Sequence, residues 1–166
     1  MSFPPVYTAY SRALILGTWP SPKSRAQGFY YGHPQNRFWP LLAALTGESV
    51  PAHGDIEAKK RLITAHGLAL WDTLASCTIT GASDASIRDA VPNDVAALLR
   101  AAPIEAVFCN GAASWQLYTR YLEKACGIAA VRLPSTSPAN AACGPALLRA
   151  VWGAALAPYL VQTPPI

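Results

Sequence analysis

Arg12-Ala-Leu-Ile-Leu-Gly17 is a short, unbroken apolar run that stops at a glycine, with Pro20 and Pro22 close behind it. Such a run reads as a strand buried on both faces, the mark of a central strand in a parallel sheet. Outward from it, Leu68-Ala-Leu-Trp-Asp-Thr-Leu74, Ile104-Glu-Ala-Val-Phe-Cys-Asn-Gly111 and Ala129-Ala-Val-Arg-Leu-Pro134 carry the same signature. Helix-length segments separate them. Asn36 can start a helix over 36–45 that Gly47 closes, and residues 55–66 are amphipathic and stop at Gly67. Asp94 stands before a helix over 95–101, residues 112–126 end at Gly127, and Pro145 suits the first turn of a last helix over 145–159. Residues 18–35, which hold Pro20, Pro22, Pro34, Gly28 and Gly32 without a hydrophobic period, read as a long loop. Strands alternating with helices imply right-handed crossovers. The expected fold class is α/β, a three-layer α/β/α sandwich with a central, mainly parallel four-stranded sheet. In such sheets the working site lies beyond the carboxyl ends of the strands, which here means residues 17–35, 72–81, 110–113 and 135–142.

A chain of 166 residues fits one domain, expected over 1–166, and at that length about two-thirds of the unfolded surface can be buried. Hydrophobic residues make up 52% and charged residues 13%, the latter well under the roughly 25% usual in globular domains. The surface therefore leans on Ser, Thr, Asn, Gln and Pro. Every apolar run breaks well short of the ~18 residues of a membrane span. Met1-Ser-Phe-Pro-Pro-Val-Tyr7 lacks a charged stretch followed by an apolar one, so neither membrane association nor export is expected, and the chain is placed in the cytoplasm. Cys77, Cys109, Cys126 and Cys143 are too widely spread for a paired-thiolate metal site. An iron–sulfur cluster is disfavoured by Cys109, which sits inside an apolar strand. Core thiols are expected, with no metal and no cofactor, and a monomer suffices for a site built on one sheet.

Net charge is +4, and its distribution matters more than its size. Arg12, Lys23, Arg25 and Arg37 all precede the first acid, Glu48. A one-sign segment of this kind suits a phosphate-facing surface, or simply a solvated face. The same segment is dense in aromatics, with Trp19, Phe29, Tyr30, Tyr31, Phe38 and Trp39, which suits stacking against a nucleobase. Candidate polar groups at the strand ends are His33, Asn36, Asp72 and the hydroxyls of Ser135-Thr-Ser-Pro138. There is no Ser–His–acid signature and no phosphate-cradling glycine loop.

These residues carry a resemblance. Gly17-Thr-Trp-Pro-Ser-Pro-Lys-Ser-Arg-Ala-Gln-Gly-Phe-Tyr-Tyr-Gly-His-Pro-Gln-Asn-Arg-Phe-Trp39 resembles the first motif of the uracil-DNA glycosylase superfamily, most closely its deoxyinosine branch. Residues 32–39 are similar also to the mismatch-specific uracil and thymine enzymes. Leu133-Pro-Ser-Thr-Ser-Pro-Ala-Asn-Ala141 resembles the second motif, which enters the DNA at the lesion, and residues 67–77 and 107–111 match the remaining strand ends. The resemblance implies excision of deaminated bases, hypoxanthine first, from DNA as the partner.

One departure bears on mechanism. Other branches place an Asp or Asn before the proline of the Gly-x-x-Pro turn to position the attacking water, whereas this chain has Trp19, which cannot accept a proton. The resemblance moves that role to Asn36, with helix capping as the alternative. It assigns Tyr31 to stacking on the flipped base, with Phe29 and Tyr30 as rivals. Asp72 falls where the uracil-excising enzymes carry a base-reading Asn. A carboxylate there would accept from the N1–H of hypoxanthine but offer O6 no donor, and the alternatives are negative charge near the sugar cation and a structural strand-end cap. Gly17, Trp19 and Asn110 complete the expected base site. Ser135, Thr136 and Ser137 would bind phosphates while Pro138, Ala139 and Asn140 fill the space the base vacates. Lys23, Arg25 and His33 are further DNA contacts. His53 and His66 look peripheral. Lys23 is the only lysine in the motif loops, so amine-nucleophile lyase chemistry is not expected. The alternatives are a mismatch-type uracil glycosylase, a catalytically silent nucleic-acid-binding module, and an α/β enzyme acting on free nucleosides.

Overall fold

The computed structural model describes residues 3–80 and 84–161. Its centre is a parallel sheet in which β1 (Ala13–Gly17) lies between β2 (Leu68–Asp72) and β5 (Ala106–Asn110), with β6 (Ala130–Leu133) at the edge. All five β1 residues are buried because both sheet faces are covered. Side chains alternate across a strand. Ala13, Ile15, Leu68, Leu70 and Phe108 therefore face one helical layer, while Leu14, Leu16, Ala69, Val107 and Cys109 face the other. The first layer contains α2 (Phe38–Thr46), α3 (Ile56–Thr64) and α7 (Pro145–Leu156). The second contains α4 (Val95–Ala101), α5 (Ala112–Tyr121) and α6 (Glu123–Cys126). The three-layer α/β/α class with a parallel four-stranded sheet is what the apolar runs led one to expect.

Several local expectations need correction. Residues 18–35 are not all loop, because Pro22–Gln27 forms α1. Ser21 caps it by accepting from the Ser24 amide, Pro22 needs no donor in the first turn, and Gly28 ends it in the left-handed region at φ 84°. The second strand ends at Asp72, not Leu74. Leu74–Thr78 turns away as β3 and pairs antiparallel with β4 (Arg88–Pro92). The helix expected over 112–126 breaks at Leu122, whose φ of −121° lies outside the helical range. The helix expected from residue 36 begins at Phe38, and the last helix stops at Leu156 rather than 159. Ahead of β1, Val6 pairs with Leu70 in an isolated antiparallel bridge, which draws the N-terminal segment across the sheet edge towards the strand ends. Among the described residues no helix is long and apolar enough to cross a membrane.

Candidate functional site

The carboxyl ends of β1, β2 and β5 open onto one cavity of about 350 Å³. That lies within the usual range for small-molecule sites. Its lining draws on all the expected segments: Gly17, Trp19, Tyr31, His33 and Asn36 from the first motif, Asp72 and Asn110 from strand ends, and Ser135 to Ala139 from the second motif. The end of the expected segment 72–81, Gly81, lies outside the described residues. Lys23 and Arg25 stand exposed on α1, and neither they nor Asn140 line the cavity.

A chain of hydrogen bonds holds the first motif rigid. The Ser24 hydroxyl accepts from the Gly32 amide at 2.9 Å, the Trp39 indole donates to the Tyr30 carbonyl at 3.0 Å, and the Tyr30 hydroxyl donates to the Pro4 carbonyl at 2.8 Å. The rivals for base stacking separate on this geometry. Phe29 is buried against Trp39, and the Tyr30 hydroxyl is committed to the N-terminal segment. Tyr31 lies on Phe38 with ring centroids 4.1 Å apart and reaches the cavity. Its backbone adopts φ 53°, in the left-handed region that a bulky residue enters at a cost of order 1–3 kcal/mol. That strain is offset by the ring contact and by the surrounding bonds.

Asn36 is only half exposed, and its side-chain oxygen accepts twice, from the Phe38 amide at 3.0 Å and from the Thr136 hydroxyl at 2.8 Å. Capping and site-building are thus done by one atom. Both lone pairs are taken, which leaves the NH₂ group as the donor this cavity-lining side chain can still offer. Thr136 is fully buried and also accepts from Asn110 Nδ2 at 3.0 Å, while its amide donates to Asn110 Oδ1 at 3.0 Å. This corrects the expectation that Thr136 binds phosphate, because its hydroxyl and its amide are both used inside the protein. Asn110 likewise serves first to hold Thr136. Ser135 and Ser137 accept from the amides of Ser137 and Ala139, which leaves each hydroxyl proton free to donate. Asn140 braces the same turn by donating to the Ser135 carbonyl at 3.0 Å. His33 lines the cavity, and its Nδ1 accepts from the Gln35 amide.

Asp72 lies at the cavity floor, 4% exposed, with Oδ2 lacking any hydrogen-bond partner. Burial pushes its carboxyl up to about 7. Across the sheet it is the register partner of Gly17. A Cβ at Gly17 would come within 2.5 Å of Asp72 Oδ1 and 2.9 Å of the Tyr31 hydroxyl, so only glycine leaves both groups their place. The Tyr31 hydroxyl is also buried without a partner, and burial next to Asp72 holds it protonated, far above the ordinary phenol value.

The site roles of two residues, Arg37 and Phe3, escaped the sequence reading. Arg37 reaches across to the second motif, donating to the carbonyls of Ser137 at 2.9 Å, Asn140 at 3.1 Å and Cys143. It sits inside the quoted first motif, beside Asn36, and that adjacency was the available signal. Phe3 lines the cavity too, but nothing local marks it, whereas Ile79 lines it from inside the expected segment 72–81. Of the four early cations, Arg37 is committed to carbonyls, and Arg12 pairs with Glu105 at 2.6 Å at the amino end of β1. His66 is buried beneath the Val161 carbonyl, and neither it nor His53 lines the cavity. Cys109 and Cys143 are buried thiols, and no group of three or more His, Cys, Asp or Glu converges among the described residues.

A family model described as the uracil DNA glycosylase superfamily matches residues 4–155. The chain belongs to that superfamily. Similar proteins include the hypoxanthine DNA glycosylase of Methanosarcina barkeri, 36% identical over 142 residues, with 83% of this chain and 86% of that protein covered. Its namesake in Methanosarcina acetivorans is 32% identical over 140 residues at the same coverage. A solution NMR structure of a Methanosarcina acetivorans protein, named for uracil DNA glycosylase, superposes with a TM-score of 0.73 at 29% identity, covering 91% of this chain and 97% of that one. In this superfamily member the aromatic first motif and the Ser-Thr-Ser-Pro turn meet in one cavity, joined by Asn36, Thr136 and Arg37.

Proposed function

We propose that this chain is a monofunctional DNA glycosylase that hydrolyses the bond between a deaminated base and deoxyribose in DNA, taking hypoxanthine before uracil or xanthine and leaving an abasic site. The observation that carries this reading is the convergence of Tyr31, Asn36, Asp72 and the Ser135–Ser137 turn on one cavity at the strand ends. The similarity to two proteins named hypoxanthine DNA glycosylase supports the choice of base.

The reaction follows from the residues present. An everted base enters the cavity and stacks on Tyr31, a contact of about 1–3 kcal/mol, while Asp72 at the floor meets its Watson–Crick edge. The glycosidic bond breaks with its electron pair leaving on the base, and the sugar becomes oxocarbenium-like, a state that asks for charge stabilisation more than for a strong base. Water then adds at the anomeric carbon and releases its proton to solvent. The Asn36 NH₂ holds that water by donating to its oxygen, which suits an amide whose own oxygen is already occupied. No lysine lines the cavity among the described residues, which agrees with hydrolysis rather than amine-nucleophile lyase chemistry. Ser135 and Ser137 supply donors to the flanking phosphates, and Pro138 and Ala139, at the rim, fill the gap in the stack.

The deciding experiment is an excision panel of hypoxanthine, uracil and xanthine in single- and double-stranded oligonucleotides, run with wild type and Asn36→Ala. Release of hypoxanthine by wild type alone is expected. Release of uracil without hypoxanthine would reverse the substrate order, and activity on free deoxyinosine but not on DNA would replace the reading altogether.

A further inference from the structure

Among the described residues the buried side-chain nitrogen and oxygen atoms without a hydrogen-bond partner are His66 Nε2, which faces Glu48 at 3.4 Å, and Asp72 Oδ2 and the Tyr31 hydroxyl, which share the cavity floor. A native fold rarely leaves such atoms unmet, so a pair of them at the base of one cavity marks the place where a ligand completes the bonding. The floor also lacks a cation. Tyr30 and Tyr31 face Asp72 from the first motif, Cys109 of β5 lies near Tyr31, and His33 lines the same cavity. No lysine, arginine or second carboxylate lines it among the described residues, and Arg37 is directed to carbonyls of the second motif. An ionised carboxylate in such a place would keep its charge without compensation.

We propose, on the footing of the glycosylase reading above, that Asp72 recognises its base as a neutral carboxylic acid. Its O–H donates to the base carbonyl, and its C=O accepts from the adjacent ring N–H. Deamination of adenine or cytosine converts an amidine edge into this lactam edge, a carbonyl beside an N–H, which hypoxanthine and uracil present and their parent bases do not. A carboxylic acid offers one donor and one acceptor side by side, the complement of that edge, whereas a carboxylate would set a full negative charge against the base carbonyl. The Tyr31 hydroxyl stands next to the acid as a further donor. When the glycosidic bond breaks, the electron pair that departs with the base delocalises onto the carbonyl oxygen, so the Asp72 O–H bond strengthens as charge develops there. Asp72 keeps its proton throughout, and the departing base takes its own from solvent. The burial-raised carboxyl, at about 7, is compatible with the neutral form on the acid side of neutrality. Asp72 is thus a specificity-determining group whose working form is set by the absence of a cation.

The test measures single-turnover release of hypoxanthine from a hypoxanthine-containing oligonucleotide between about pH 5 and about pH 9, for wild type and Asp72→Asn. It is joined by a titration of ¹³C-labelled aspartate carboxyls in the wild type, which depends on no variant. The wild-type rate should fall about tenfold per pH unit above about pH 7, and Asp72→Asn, permanently neutral with the same donor and acceptor pair, should lack that fall. The ratio of variant to wild-type rate then rises about tenfold or more between about pH 6 and about pH 8.5. In the titration, one aspartate carboxyl should stay neutral at about pH 6. A wild-type rate that is flat or rises through neutrality, a fall that persists in Asp72→Asn, or aspartates that are all ionised at that pH overturns the proposal and leaves the glycosylase reading in place. Failure of the wild type to release any deaminated base at any pH overturns both.

Discussion

At the scale of single residues the site is held together by oxygen atoms that each do two jobs. Asn36 Oδ1 caps α2 through the Phe38 amide and receives the Thr136 hydroxyl, which leaves only the NH₂ group to act on water. Substitution separates those jobs. Asn36→Asp keeps an acceptor for both partners but removes the donor, so it should fold like wild type yet lose excision by about 100-fold or more, as when a single preorganised donor is deleted. Circular dichroism and single-turnover rates measure the two effects, and an Asp variant faster than wild type would mean that the position works as a base. Thr136→Val removes the link between Asn36 and Asn110 and strands buried polar groups, with an expected stability loss of about 1–3 kcal/mol. Asp72 gives a pH signature as well. In the unfolded chain it ionises near 3.8, and in the fold near 7, so between those values the unfolded state binds fewer protons and stability declines as pH rises. The decline should begin above about pH 4, level off past about pH 7, and total on the order of 4 kcal/mol. Thermal melts across that window should show it in wild type and not in Asp72→Asn.

At the scale of elements, Arg37 decides how the second motif is presented. Its planar fork reaches the carbonyls of Ser137, Asn140 and Cys143 at once, a geometry that a lysine ammonium cannot reproduce. Arg37→Lys should therefore speed amide exchange across residues 135–143 and lower excision, with little change in exchange across β1. Equal exchange in the two proteins would show that the turn holds its own shape. What the sequence made legible at this scale follows from how local the signal is. Whereas β6 at the edge exposes Val131 and Arg132 and shows only a short apolar run, β1, β2 and β5 announce themselves because they are buried almost throughout and so read as unbroken apolar runs, as Ala13 to Gly17 does. β3 and β4 do not. Leu74-Ala-Ser-Cys-Thr78 is small and polar with alternate residues exposed, its pairing with β4 shifts register twice, and Asp89 takes φ 53°, so no simple period survives. α1 was hidden by its prolines, although Ser21 followed by Pro22 is a sound helix start. The site was legible where its residues sit together in the two motifs. Phe3 was not, because it is held at the cavity by contacts far apart in sequence: its ring lies edge-on to Tyr30, its carbonyl accepts from the Tyr30 hydroxyl and the Trp71 indole, and the Val6–Leu70 bridge anchors the segment.

At the scale of the whole molecule, charge and fold point to light electrostatic binding. Net charge is only +4, and the acid-free start of the chain offers fewer free cations than its composition suggests. Arg12 is drawn to Glu105 at the far end of β1 and Arg37 to the second motif, which leaves Lys23 and Arg25 exposed on α1, near a cavity whose rim includes Ser21, Pro22 and Ser24. Because each neutralised phosphate contributes about 0.9 to the slope of log affinity against log salt on duplex DNA, a chain with no lysine or arginine in its described cavity lining and only these two exposed cations on α1 should show a shallow slope. Lys23→Ala with Arg25→Ala should flatten it by about 2, roughly one for each phosphate left without its cation, and weaken binding uniformly over base sequence. The saturated single-turnover rate should stay near wild type, since neither side chain lines the cavity. Fluorescence anisotropy with a hypoxanthine-containing duplex across a salt series supplies the slope. An unchanged slope would place the DNA backbone against another face, and would transfer the phosphate contacts to Ser135, Ser137 and the backbone amides of their turn, whose neutral donors bind anions without releasing counterions from a cation of their own.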